Sequence, residues 1–271
     1  MNRKLQFSGS WYPDNKEEIT KYLISIPEEN KVSVTSCICP HAGWMYSGKV
    51  AGEVYSKIKP ADVYILLGPN HTGMGKNIAV YPEGYWEGPL GKIKVNSKIV
   101  ELLVKSSEFL EKDFVAHYRE HSLEVQIPFL QVISKKDFTI VPITIRAESY
   151  QICEDIGRNI ALVVKKYKKD FPDQKVVLIS STDMSHYEEY EYAKKLDFLA
   201  IEQILNLYDK GLYDTVLSYG ISMCGVIPTV CTIIASKLLG AKTAQLVKYQ
   251  TSGDVSGDYE QVVGYAGLVI Y

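Results

Sequence analysis

At 271 residues, 46% of them hydrophobic, the chain can bury one large core or two small ones. A formal net charge of −2 removes the electrostatic basis for binding nucleic acid or an anionic membrane. Five cysteines, an odd number, no leader-like apolar core in the opening residues and no apolar run near the roughly 18 to 20 residues of a spanning helix point to the cytoplasm.

Helical and strand-like periods alternate along the chain. Ile19, Tyr22, Leu23 and Ile26 fall at i, i+3, i+4, i+7 behind Glu17 and Glu18, which predicts an amphipathic helix. Residues 32–39 read as a strand. Ala51, Val54, Tyr55 and Ile58 mark a second helical face, and 63–67 is a continuous apolar run suited to a buried parallel strand. Residues 78–95 look like a pair of strands joined through Pro82, Gly84, Gly88 and Pro89. A helix is expected over 122–133, then a strand over 138–145 in which Pro142 suits an edge or a strand end. Ile152, Ile156, Ile160 and Val163 mark the next helix, ahead of a buried strand at 176–179. Helices over 190–207 and 225–238 and strands at 244–249 and 262–271 finish the chain, with turn material at 253–258. With no linker, repeat or low-complexity tract, this alternation predicts one α/β domain over residues 1–271, its central sheet sandwiched between helix layers.

Three of the five histidines sit where such strands end. His41 lies in Pro40-His41-Ala42-Gly43, His71 in Gly68-Pro69-Asn70-His71, and His186 closes Asp183-Met184-Ser185-His186. In an open α/β sheet the carboxyl ends of the strands share one edge, so these residues can converge there. Cys224, directly before Gly225 and a long apolar helix, would gain thiolate character from the helix dipole. The other four cysteines read as small buried hydrophobes. Two imidazoles and a thiolate, with room left for water or substrate, suit Fe(II), copper or Zn(II) and disfavour Mg(II) and Ca(II). Asp183 and His186, three apart, would face the same way on a helical turn, the carboxylate raising the basicity of a catalytic imidazole; Asp183 as a helix cap is the alternative. His121 and Glu124 can line the pocket or belong to a cap around Ser122, and His117 reads as an exposed or partly packed loop residue. Trp11, Tyr12, Trp44 and Tyr46 offer an aromatic rim or ordinary packing. No nucleotide cofactor is indicated.

Taken as a set, the segments Gly9-Ser10-Trp11-Tyr12-Pro13, Pro40-His41-Ala42-Gly43, Gly68-Pro69-Asn70-His71, Glu120-His121-Ser122-Leu123-Glu124, Asp183-Met184-Ser185-His186 and Met223-Cys224-Gly225 resemble the Memo family, known in prokaryotes as protein B of the AmmeMemoRadiSam system. The resemblance implies the fold of the LigB-type class III extradiol dioxygenases, with a mixed sheet between helix layers. It also implies a pocket of His41, His71, Asp183, His186 and Cys224. In those dioxygenases two histidines and a carboxylate hold Fe(II) and another histidine is the acid/base. Here His41 and His71 match the ligands, His186 matches the acid/base, and Cys224 stands where the carboxylate is expected. That exchange softens the site, opens it to copper beside iron, and argues against ring cleavage. The resemblance further implies association with a radical SAM protein and an AMMECR-type protein, and peptide recognition as practised by animal members. Three functions follow in order: a metal-binding, redox-related protein acting on a small molecule; a binding module for peptides or partners that kept an enzyme pocket; and, well behind, a zinc hydrolase.

Overall fold

Val, Ile and Leu crowd the inner strands because helices cover both faces of the sheet there. In the computed structural model, which describes residues 2–134 and 136–271, the strand Val63–Pro69 is buried along its whole length. It lies between two parallel neighbours, Thr139–Ile145 and Val176–Ser181. Ser36–Cys39 continues the parallel run beyond Val176–Ser181, and Gly91–Val95 does so beyond Thr139–Ile145. Val262–Ile270 then pairs antiparallel with Ser36–Cys39 and is flanked in turn by Ala244–Thr251 and His186–Glu188. The sheet is mixed, with twelve strands among the described residues.

Alternation of side chains separates the two faces. Ser36 Oγ meets Ser236 Oγ at 2.7 Å and Ser180 Oγ meets Thr229 Oγ1 at 2.9 Å, seating the helix Val226–Leu238 on one face. The helix Tyr150–Asp170 packs on it at Gly157, where a Cβ would stand 2.8 Å from the Cys231 carbonyl oxygen, so only glycine allows that approach. Cys37 and Cys39 point the other way, toward Tyr55 of the helix Trp44–Lys57. On that side Trp44 stacks on Phe129 of the helix Ile127–Ile133 at 3.7 Å. A central mixed sheet lies between helix layers, the LigB-dioxygenase-like α/β architecture. Among the described residues no helix is long and apolar enough to cross a membrane.

Packing revises several expected boundaries. The first helix spans only Lys16–Thr20; Tyr22 leaves it to meet Trp44 edge-on at 5.1 Å. The strand expected over 32–39 is Ser36–Cys39, Val32 making only an isolated bridge to Ile58. Residues 78–95 hold three strands: Ile78–Val80 pairs with Thr139–Ile145, while Tyr85–Gly88 and Gly91–Val95 form the hairpin. Pro142 sits in an interior strand rather than at an edge. On its imino side the neighbours pair with Ile140 and with Ile143, leaving a gap opposite Pro142 where no ladder N–H is needed. The helices Ser97–Ser106 and Asp209–Tyr219 were not anticipated.

Parallel pairing has one consequence for chemistry. Cys39, Pro69, Ile145 and Ser181 all end at the same edge, so the segments that follow them meet.

Candidate functional site

His41 is 2% exposed. Asp183 Oδ1 accepts its backbone N–H at 2.7 Å and that of Ala42 at 3.3 Å, so a carboxylate from one strand end fixes the loop of the next. Ser181 Oγ donates to the Ser122 carbonyl at 2.6 Å. Its lone pairs therefore accept, from Gln126 Nε2 at 2.9 Å and from His41 Nδ1 at 3.0 Å. That places the His41 proton on Nδ1 and leaves Nε2 with a free lone pair.

Glu120 performs the same service for His71. This buried carboxylate accepts the His71 backbone N–H at 2.6 Å, His71 Nδ1 at 2.9 Å and the Ser122 N–H at 2.9 Å. Burial alone would raise its carboxyl; the His71 hydrogen bond and charge, then His121, hold it down to about 2. An ionised carboxylate only accepts, so His71 donates from Nδ1, which leaves Nε2 as the ring nitrogen a metal could take. His121 completes the group. Its ring stacks on His71 at 4.6 Å, stands 5.4 Å from that of His41, and is covered by Trp11 at 4.4 Å. His41, His71 and His121 can each turn one donor atom into a common volume, all within 4.8 Å of one another. Burial, then the His71 charge, lowers His41 to about 3; burial, then the His41 charge, lowers His121 to about 4. Both are neutral at pH 7, the form that binds metal.

Cys224 Sγ lies 3.2 Å from His41 Nε2 and accepts the Asp183 N–H at 3.3 Å. It precedes Gly225, the N-cap of Val226–Leu238. The helix end was expected to favour the thiolate. Instead burial, then the Asp183 charge, pushes the thiol well above its usual range, and the S–H has His41 Nε2 at 3.2 Å and the Asp183 carbonyl at 3.8 Å as acceptors. A bound cation would displace that proton and take the sulfur. The donor set, three imidazoles with the Cys224 thiol beside that of His41, fits a borderline or soft metal.

His186 is held from its own side: Ser222 Oγ accepts its backbone N–H at 2.7 Å, and its Nδ1 donates to the Ser222 carbonyl at 3.0 Å, leaving Nε2 free. The helical turn expected to align it with Asp183 does not form. Residues 182–185 are irregular, His186–Glu188 is a strand, and Glu189 rather than Asp183 caps the following helix. Asp183 serves His41 and Ala42 by hydrogen bonds and feels His186 only through its charge.

The sequence does not single out Asp197, and Glu124, expected at the pocket or in a cap, has a different role. Asp197, fully buried, accepts the Ser185 N–H at 2.8 Å, Ser185 Oγ at 2.5 Å and Tyr249 OH at 2.8 Å, which fastens the 182–186 segment. The signal for it was present: an aspartate on the same helix stripe as Leu196, Ala200, Ile201 and Ile204. Glu124 ties down the N-terminal segment, pairing with Arg3 at 2.5 Å and accepting Phe7 N–H at 2.9 Å and Tyr12 OH at 2.9 Å. Trp11 reaches His121 on that segment. Trp44 is a packing residue, whereas Tyr46 is half-buried and shares a groove of about 620 Å³ with Trp11, Tyr12 and Met45. His117 is no loop-surface residue: it is fully buried against Tyr81 and Trp86.

The fold and site define an α/β protein whose strand ends hold a histidine–cysteine pocket. A family model described as Memo-like protein matches residues 3–269. Similar proteins include MEMO1 family proteins of Methanopyrus kandleri, 38% identical over 99% of both chains, and of Aquifex aeolicus, 39% identical over 98% of both. Another, from Methanocaldococcus jannaschii, is 40% identical over 97% of this chain and 96% of its own. The chain belongs to the Memo family. Among solved structures, an uncharacterized protein of Escherichia coli K12 shares the fold, with a TM-score of 0.53 at 10% identity, covering 87% of this chain and 99% of the other.

Proposed function

We propose that this is a cytoplasmic, metal-binding, dioxygenase-like protein with a redox-related role, acting with a radical SAM protein and an AMMECR-type protein. Its metal ligands are His41 and His71 through Nε2 and Cys224 through Sγ, and His186 is its acid/base. One observation carries the reading: Cys224 Sγ lies 3.2 Å from the bare Nε2 of His41, whose ring is 5.1 Å from that of His71. Nitrogen and sulfur donors together suit Fe(II) or copper, with Zn(II) behind them. A bound metal would supply Lewis-acid and electron-transfer chemistry. Around it Glu120 keeps His71 in the donor tautomer, Asp183 holds the His41 loop, and His186 Nε2 takes or gives a proton because Nδ1 is committed to Ser222.

Metal content of anaerobically purified protein, reloaded with Fe(II) or Cu(I), tests the assignment. His41→Ala and Cys224→Ser are expected to lose most of the metal, and His186→Ala to keep it. Glu120→Gln is expected to weaken affinity by about 10- to 100-fold, because an uncharged amide with a single oxygen acceptor cannot serve the three N–H groups that Glu120 receives. Wild-type metal content in Cys224→Ser together with loss in His121→Ala would replace the sulfur ligand by a third imidazole. A second reading, a peptide- or partner-binding module with a vestigial pocket, draws on the aromatic groove of Trp11, Tyr12, Met45 and Tyr46. It gains the field if neither wild type nor reloaded protein holds metal.

A further inference from the structure

We infer that the ligand of this pocket carries an oxyanion, a carboxylate or a phosphate, and that the Arg146 guanidinium receives it. The inference rests on the reading of His71 and Cys224 as the reactive wall and names the substrate class for that same site.

Arg146 follows the strand Thr139–Ile145 just as His71 follows Val63–Pro69, and these two strands are parallel neighbours. Its backbone N–H donates to the Asn77 carbonyl at 2.7 Å, which fixes its exit from the sheet. The guanidinium lies over Gly73 in the His71 loop: a Cβ on Gly73 would stand 2.8 Å from Arg146 Nη1. Gly73 has φ +65, a conformation that itself favours glycine, so the loop leaves the space that the guanidinium occupies. The loop is held in that shape by Asn70, whose Oδ1 accepts Thr72 Oγ1 at 2.9 Å and the Gly73 N–H at 3.0 Å, while its Nδ2 donates to the Met74 carbonyl at 2.9 Å.

Arg146, His71 and Cys224 line one cavity of about 600 Å³. Pro69, Ile145, Ile227 and Pro228 also line that cavity, and Arg146 is exposed there, open to a ligand arriving from solvent. Arg3 and Arg158 are already paired, with Glu124 and Glu154. Among the described residues no carboxylate lies within ion-pair distance of Arg146; Glu148 lines the same cavity without reaching it. An uncompensated planar guanidinium, seated on the loop of a reactive histidine, matches the two parallel oxygens of a carboxylate or phosphate.

Cys224 provides a reporter that needs no known substrate. The other four cysteines are buried, so alkylation of the native, metal-free protein reads Cys224, as peptide mass spectrometry would confirm. Iodoacetate and iodoacetamide transfer similar groups and differ in charge. The iodoacetate-to-iodoacetamide rate ratio is expected to fall about three- to tenfold in Arg146→Met, and by less in Arg146→Lys. Inorganic phosphate and acetate, added separately, should each slow iodoacetate in wild type and not in Arg146→Met; the stronger competitor identifies the preferred oxyanion. Equal ratios in wild type and Arg146→Met, with no protection by either anion, overturn the inference. Metal content is read separately. A wild type that takes up no metal yet keeps the charge-dependent ratio removes the metal centre and leaves the anion site standing.

Discussion

Acidifying the metal-free protein is expected to strip its stability steeply from about pH 6.5 downward. His41 and His117 titrate at about 3 in the folded protein and His121 at about 4, whereas the unfolded chain protonates all three near the usual value of 6.5. Each is a base whose folded pKa is depressed, chiefly by burial. Above pH 6.5 none distinguishes the two states. Below it the unfolded chain binds protons that the folded one refuses, so stability falls until the folded pKa is reached. One such group costs about 1.4 kcal/mol per pH unit, and three together about 4 kcal/mol per unit near pH 5. Glu120 adds to the loss lower down, from about 4.5 to about 2, as its folded-state advantage is titrated away. At that rate a typical total of about 5–15 kcal/mol is exhausted between about pH 5 and pH 3, where unfolding is expected. Urea denaturation at pH 7.5, 6 and 5 checks this. Equal stability at pH 7.5 and 5 would show that these imidazoles are charged, and therefore hydrated, in the native protein.

Glu124→Ala is expected to destabilise the fold by about 3–5 kcal/mol, because it strands the Arg3 guanidinium in a site where both side chains are almost fully excluded from water. Arg3 Nε and Nη2 still donate to the carbonyls of His117 and Glu120, at 2.6 and 2.8 Å, and the guanidinium lies 4.4 Å over the Trp86 ring. Those contacts share the charge without neutralising it. The backbone N–H of Phe7 and the hydroxyl of Tyr12 lose their acceptor as well. The double variant Arg3→Met with Glu124→Leu should recover much of the loss, since no unpaired charge remains. Denaturant midpoints for the two single variants and the double measure the coupling. A double variant as unstable as the sum of the singles would mean that the lost hydrogen bonds, rather than the ion pair, dominate. Trp11 rides on this segment, so loosening it should also uncover His121, readable as a change in tryptophan fluorescence.

Much of this was legible in the chain itself. Continuous apolar runs marked the inner strands Val63–Pro69 and Val176–Ser181, and period-four apolar residues marked Tyr150–Asp170 and Val226–Leu238, because a strand or helix buried against a core must carry that pattern. Turn residues after those runs placed His41, His71 and the 183–186 segment at strand ends, and motif order was enough for the family. What the chain alone does not encode is partnership across long separations. Spacing pairs Asp183 with His186, three residues away, yet it serves His41, 142 positions earlier. For His121 the sequence leaves pocket and cap open, and only the fold stacks its ring on His71. Cys224, placed at a helix end that favours a thiolate, is a thiol because burial and Asp183 outweigh the dipole. Likewise Pro142 tolerates an interior strand only because two short neighbouring strands leave a gap beside it. Local patterns follow from neighbours in sequence; charge, tautomer and exposure follow from neighbours in space, and those exist only once the strands have been ordered in the sheet.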